Sequence, residues 1–433
     1  MLAARESSLH PDREALDRIG SWPKSRGLLQ DIAWGPDSDA HGRRADSACR
    51  FIAARMSASR QGLPPVPGLQ LSTAMKLLIL LASIAGCGTV AAPALPDGDP
   101  LLPDASPTVT PECAADPAQC LYQPTRYTTI QIGGEFVGDA NRIGGPRRIP
   151  IAYRYAVDAP RPMPVVVLSH GGAGGSTDAA SALEEWATAA AAAGYFAVAV
   201  AHEPRDQASR QLLCDELAVP VGECDTFKYL NYDRPLDLAR VIDRVYVVAN
   251  DPAWTGMFDP AKLAVLGHSA GAGGTLMLAG APRDVFGTPL VGVDPRPIAF
   301  VALSPQAPGS EGFTEAGYGQ ITRPTLIATG RGDENPPDTA DGRATVFDVM
   351  QPGNKARLFI EDPAALHMVF SHQTASCITL ASLERCEQLV SWVESATLAF
   401  LDTHLRGAPA ASAWLDSTNL GTASEGAAEW SRR

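Results

Sequence analysis

The chemistry most legible in this chain sits in Gly267-His268-Ser269-Ala270-Gly271. Leu263 to Leu266 is a short apolar run closed by a glycine, and small residues lead from it into Leu276, Met277 and Leu278, which predicts a buried strand turning sharply into a helix. A serine on so tight a turn has a strained backbone, and Gly267 and Gly271 leave room where a Cβ would collide. The hydroxyl is then presented at the strand end as a nucleophile. The amide of Ala270 and the start of the helix are aimed where negative charge develops on a substrate carbonyl oxygen. In a chain with 39 glycines the five-residue pattern alone is a weak signal, and a solvated serine on an ordinary turn is the bland alternative. The partners decide between the two.

If this turn is a nucleophile elbow, an acid and then a histidine base should follow it in the chain. Of eight histidines, His367, His372 and His404 follow Ser269 with room for an acid between. His404 falls in a predicted helix, Glu387 to Arg406, whose Leu389, Trp392, Val393, Ala396 and Phe400 form a core-facing stripe, so it reads as charge near a helix C-terminus. His367 follows the strand-like Arg357 to Glu361 by a short loop and is the preferred base, with His372 as the fallback. For the acid, Pro324 to Thr329 is an apolar strand and Gly330-Arg-Gly-Asp333-Glu-Asn335 follows it directly. Asp333 would accept from one imidazole nitrogen, fix the tautomer and stabilise the imidazolium. Glu334 and Asp338 are the near alternatives. Pro164 to Ser169 reads as a further strand, ended by the nearly side-chain-free His170-Gly-Gly172-Ala-Gly-Gly175, whose Gly172 amide would be the second oxyanion donor opposite Ala270. That loop has neither Gly-x-Gly-x-x-Gly nor a Lys-Ser/Thr ending, which argues against a phosphate cradle.

Taken together these residues resemble the α/β-hydrolase superfamily, and within it bacterial proteins similar to dienelactone hydrolases and platelet-activating-factor acetylhydrolases. The match also includes Ser169-His-Gly171, Asp233-Arg-Pro-Leu-Asp237, Leu303-Ser-Pro-Gln306 and His367-Met-Val-Phe-Ser371, and spans roughly residues 125 to 416. The resemblance implies a serine-dependent carboxylic ester hydrolase acting through a Ser-His-Asp triad and an acyl-enzyme, with no metal or organic cofactor. Two departures stand out. Dienelactone hydrolases use a cysteine where this chain has Ser269, and the animal acetylhydrolases take their acid after an earlier strand, where the loop Ser304 to Phe313 offers only Glu311.

The elements that must position these residues alternate along the chain. Tyr127 to Ile132 and Ile149 to Tyr155 read as an antiparallel entry pair; Val165 to Ser169, Tyr195 to Ala201, Ile298 to Leu303, Pro324 to Thr329 and Ala356 to Ile360 read as strands. Helical stretches lie between them, among them Ser181 to Ala193 and Asp233 to Ala249, the latter with Asp233 as N-cap and Pro235 in its first turn. The expected architecture is α/β, a mostly parallel central sheet with helices on both faces and catalytic residues at strand ends. An apolar excursion, Glu203 to Tyr232, containing Tyr229 and stapled by Cys214 and Cys224, reads either as a short cap over the site or as a loop packed on the side of the domain.

Outside that body the chain changes character. Residues 1–74 lack any sustained period and read as a leader or start-site artefact. Residues 75–87, Met75-Lys-Leu-Leu-Ile-Leu-Leu-Ala-Ser-Ile-Ala-Gly-Cys87, read as a lipoprotein-type signal too short to span a membrane, with Cys87 as the lipidated residue. Gly88 after that cysteine suggests, by family analogy, the bacterial outer membrane. Residues 88–112 read as a Pro/Ala-rich tether, 113–416 as the catalytic domain and 417–433 as a frayed tail. Six of the eight cysteines form three close couples, Cys113/Cys120, Cys214/Cys224 and Cys377/Cys386, which suggests local staples in an oxidising compartment and shows no metal-type spacing. Residues 1–86 carry 11 Lys/Arg and 8 Asp/Glu, so the remainder holds 24 against 40, a net charge of −16 that repels nucleic acid and anionic headgroups. Membrane contact would come only through the anchor, and the partner is a small-molecule or lipid ester. A histidine base must be neutral, so turnover should fall as pH drops below about 6 to 7. A serine peptidase or amidase of the same fold and a catalytically silent binding protein are the competing functions.

Overall fold

The computed structural model describes residue 113 and residues 115–433, apart from 173–175, 177, 221, 225–230 and 286–287, all within one compact unit, Asp99–Arg433. The leader, the signal-like stretch with Cys87, the tether and Tyr229 lie outside the described residues.

Among the described residues eleven strands are formed: β1 (Ile130–Asp139), β2 (Arg147–Ala156), β3 (Met163–Ser169), β4 (Phe196–Val200), β5 (Phe258–His268), β6 (Arg283–Val285), β7 (Thr288–Leu290), β8 (Ala299–Leu303), β9 (Thr325–Gly330), β10 (Lys355–Ile360) and β11 (Ala428–Arg432). Nine of them make one sheet in the order β1-β2-β4-β3-β5-β8-β9-β10-β11, while β6 and β7 form a separate hairpin. From β4 to β10 every pairing is parallel; β1–β2, β2–β4 and β10–β11 are antiparallel.

β4 and β8 are apolar at every position, and β3, β5 and β9 are apolar over their middle residues, because both faces of the sheet are covered. Val166 and Leu168 of β3, with Leu266 and Val301, pack toward α1 (Glu184–Ala192) and α6 (Leu383–Leu401); Val165 and Val167, with Val265 and Phe300, pack toward α3 (Arg234–Val248), α4 (Ala270–Ala279) and α5 (Ala340–Val349). This two-residue alternation is what a pleated strand imposes. Alanine-rich α1 opens on Glu184 and Glu185, which suit a helix N-terminus. α6 starts at Leu383, four residues before the expected Glu387, because the Ser382 side chain accepts from Arg385 N at 3.1 Å and caps the helix there.

Two expectations need correction, and the excursion takes the second of its two readings over its described part. The 417–433 tail is not frayed: Asn419–Ala423 is helical and β11 adds to the sheet edge, pairing Trp430 with Leu358 and Ala428 with Ile360. Asp233 stands at the N-cap position of α3 but caps nothing, since its carboxylate accepts from Arg142 at 2.8 Å and Arg205 at 2.5 Å. The excursion after Glu203 forms helix α2 (Gln207–Glu216), capped by Asp206; it packs Cys214 against Val285, and Glu216 accepts from Gly144 N. Over its described part it therefore lies beside the β6–β7 hairpin and the β1–β2 connection. The cysteines pair locally as Cys113–Cys120, Cys214–Cys224 and Cys377–Cys386. Among the described residues no helix is long and apolar enough to cross a membrane.

Candidate active site

The parallel register brings the preferred candidates to the same end of the sheet. Ser169 pairs with Gly267, His268 with Leu303, and Gly330 with Ile360, so the loops after β3, β5, β9 and β10 emerge side by side. They carry Gly172, Ser269, Asp333 and His367 respectively.

Ser269 occupies the single residue between β5 and α4, at φ 55° and ψ −121°, a conformation that L-residues adopt only under constraint. The neighbouring glycines are required sterically: a Cβ on Gly267 would strike the Gly271 carbonyl, and one on Gly271 would strike the Ser169 carbonyl. The Ser269 amide donates to Leu303 O at 2.9 Å, which ties the turn to β8. Ala270 is the first residue of α4, so its amide has no intrahelical acceptor and points out of the helix start. A Cβ on Gly171 would lie 3.0 Å from Ser269 Cβ, which shows how closely the glycine loop faces Ser269.

Ser269 and His367 line one cleft of about 570 Å³, together with Gly171, Gly172, Leu183 and Met368. His367 Nδ1 lies 2.7 Å from Asp333 Oδ1. A carboxylate can only accept, so Nδ1 carries the proton and the lone pair is on Nε2. Asp333 is fully buried. Burial opposes its ionisation, but the hydrogen bond from His367 and the Arg343 guanidinium, 3.4 Å away, outweigh it and hold the carboxyl below the usual range. Thr329 donates to the other oxygen, Oδ2, at 2.8 Å. Arg343 also donates to the carbonyls of Ser304, Pro305 and Asp333, fixing the loops after β8 and β9 to each other.

The alternatives are placed elsewhere. Glu334 accepts from Ala340 N, and Asp338 accepts from Ala307 N. Glu311 lies against Arg283, and burial pushes its carboxyl up to about 7. His372 Nε2 is 2.5 Å from Glu394, while His404 packs on Phe400 and is pushed down to about 4 by burial, so it is neutral rather than the helix-end charge expected.

Several residues around the site carry no nucleophile signal in the sequence. His268 donates from Nε2 to the His367 carbonyl at 3.0 Å, with the two rings 4.7 Å apart; burial lowers its pKa to about 3 and keeps it neutral. Trp186 of α1 donates to Phe370 O at 3.0 Å, anchoring the turn His367–Ser371. Behind the glycine loop, Ser169 Oγ is 2.8 Å from His202 Nε2, and His202 Nδ1 is 3.2 Å from Asp237 Oδ2. These are triad residue types, yet all three are buried and Asp237 is occupied by Arg142 and Arg147. The relay fastens the end of β3 to the end of β4. Arg234 is buried as well, and it donates to the carbonyls of His170, Gly171 and Gly172. The segment Asp233 to Asp237 was the available sequence signal for both Arg234 and Asp237, without a role attached.

Neither a protein-family model nor a curated protein matches the chain. Among solved structures, a ferulic acid esterase from Streptomyces cinnamoneus is similar at 21% identity and a TM-score of 0.45, over 66% of this chain and 93% of that one.

Proposed function

We propose that the chain is a serine-dependent carboxylic ester hydrolase of the α/β-hydrolase fold, with Ser269 as nucleophile, His367 as base, Asp333 as acid and the amides of Gly172 and Ala270 as oxyanion donors. The observation that carries this reading is the buried Asp333 carboxylate 2.7 Å from a His367 ring that opens, with Ser269 on its strained turn, onto one cleft.

In this reading Ser269 Oγ bonds to the ester carbonyl carbon while His367 Nε2 takes its proton, and the carbonyl pair moves to the oxygen, where the two amides meet it. Collapse expels the alcohol oxygen, which receives the proton from the imidazolium and leaves an acyl group on Ser269. Water then attacks that acyl carbon, giving one proton to His367; the carboxylic acid departs and the proton returns to Ser269. Asp333 stays ionised throughout, stabilising the imidazolium and holding its tautomer.

The substrate is a small-molecule or lipid ester. Export is supported by the three local disulfides and by the signal-like stretch ending at Cys87, through which the chain would be held at a bacterial membrane surface. Hydrolysis of p-nitrophenyl esters from acetate to long acyl chains, by the parent and by Ser269→Ala, tests the reading. Turnover in the parent and its loss in the variant are expected. A folded parent that cleaves no ester of any length would contradict the reading and turn attention to amide substrates.

A further inference from the structure

The loop proposed to supply an oxyanion donor has one side chain to hold it, His170, whose Nδ1 lies 2.6 Å from Gly171 O and Nε2 2.6 Å from Ala201 O. Gly171 and Gly172 have no side chains, and Gly172 sits at φ 90°, where glycine is unrestrained. A donor is useful only if it is already pointed at the oxyanion when charge develops. The His170 ring meets Gly171 O from within the loop, while the carbonyls of His170 and Gly172 are met from outside it.

Arg234, the first residue of α3, reaches all of them. Its Nη1 donates to His170 O at 2.6 Å, and its Nη2 to Gly172 O at 2.5 Å and Gly171 O at 3.4 Å. Its Nε donates to Asn231 Oδ1 at 2.7 Å. The residue is 2% exposed, and every one of these acceptors is neutral. Asp237 and Glu311 act on it only through space, and burial lowers its pKa to about 10, which still leaves it charged at neutral pH. Burying a guanidinium without a bonded carboxylate is expensive, and packing alone would be served as well by an apolar side chain.

The geometry of a trans peptide says what this arrangement accomplishes. The C=O of one residue and the N–H of the next point in opposite directions across one plane. Drawing the carbonyls of His170 and Gly171 toward Arg234 turns the amides of Gly171 and Gly172 away from it.

We propose that Arg234 is a positioning residue that holds the carbonyls of His170, Gly171 and Gly172 to the rear of the loop so that its amides face the reacting ester oxygen. This rests on the esterase reading above. Arg234 touches no substrate atom; it acts through the backbone of the glycine loop.

The test compares the parent, Ser269→Ala, Arg234→Lys and Arg234→Met on p-nitrophenyl esters, with near-ultraviolet circular dichroism to establish folding. Arg234→Met should lower kcat by roughly 10²-fold, the scale of one lost oxyanion donor, with KM within about twofold. Arg234→Lys, which keeps a cation able to reach some of the carbonyls, should recover part of that loss. Affinity for a trifluoromethyl ketone, which forms an oxyanion adduct with Ser269, should fall in parallel with kcat/KM, while the acid limb of the pH profile stays where it is in the parent. Folded variants with parental kcat would overturn the proposal. So would losses in kcat and KM together with a displaced acid limb, which would place the effect on the triad, and so would failure of both variants to fold, which would make Arg234 a pillar of the core. A parent without Ser269-dependent turnover is a separate outcome: it defeats the esterase reading, and the positioning role falls with it.

Discussion

Asp333 takes hydrogen bonds on both carboxylate oxygens, from His367 Nδ1 on one and Thr329 on the other, in a fully buried position. Replacing it by asparagine keeps the shape but lets an amide N–H face Nδ1, which would favour the wrong imidazole tautomer. Asp333→Asn is expected to lower kcat by about 10⁴-fold with little change in KM, measured by steady-state ester hydrolysis. Ser269, His367 and Asp333 were legible in the sequence because each follows a short apolar strand, and strand ends in a parallel sheet converge. Arg234 and His202 were not. Charged side chains are almost never fully buried, so sequence pattern assigns them to the surface, and only the fold reveals that Arg234 faces three carbonyls.

At the level of elements, His367 is held by contacts that cross from one helix to another segment. Trp186 is 1% exposed on α1, and its Nε1 donates to Phe370 O within the turn that carries His367. Trp186→Phe retains most of the apolar volume but leaves that carbonyl unpaired, and should lower unfolding free energy by about 1–3 kcal/mol in denaturant titration. The parallel strands and the two-faced helix cover could be read from short apolar runs such as Leu263 to Leu266 and Ile298 to Leu303. β11 could not: Ala428-Glu-Trp-Ser-Arg432 lies behind a Gly/Ala/Ser-rich segment, and its strand character comes from pairing with β10 rather than from its own composition. Its ladder covers an edge directly ahead of the loop to His367. Deleting residues 426–433 should reduce stability by a few kcal/mol, at about 0.5–1.5 per net hydrogen bond, and increase aggregation measured by light scattering.

Across the whole molecule, stability is tied to pH through buried histidines. Burial lowers His202 and His268 to about 3 and His404 to about 4, and lowers His170 as well. The folded chain keeps these rings neutral while the unfolded chain protonates them below about 6.5, so their contribution is complete above that pH and is lost as pH falls. Glu311 works the other way: raised to about 7, it binds a proton in the fold that the unfolded chain releases above about 4.5, which favours the fold as pH drops through that window. Four histidines outweigh one glutamate. Denaturant midpoints should therefore decline from about pH 6.5 toward 4, at roughly 1.4 kcal/mol per pH unit for each net proton. A flat profile over that range would contradict the burial assigned to these rings.

The central claim is that Ser269 forms an acyl-enzyme, and rapid-quench kinetics of the full chain with p-nitrophenyl acetate test it most directly. The expected result is a burst of p-nitrophenol approaching one equivalent per chain, with intact mass raised by one acetyl group and peptide mapping that places it on Ser269. Steady hydrolysis with no acetyl adduct, or an adduct on another residue with Ser269 unmodified, would contradict it.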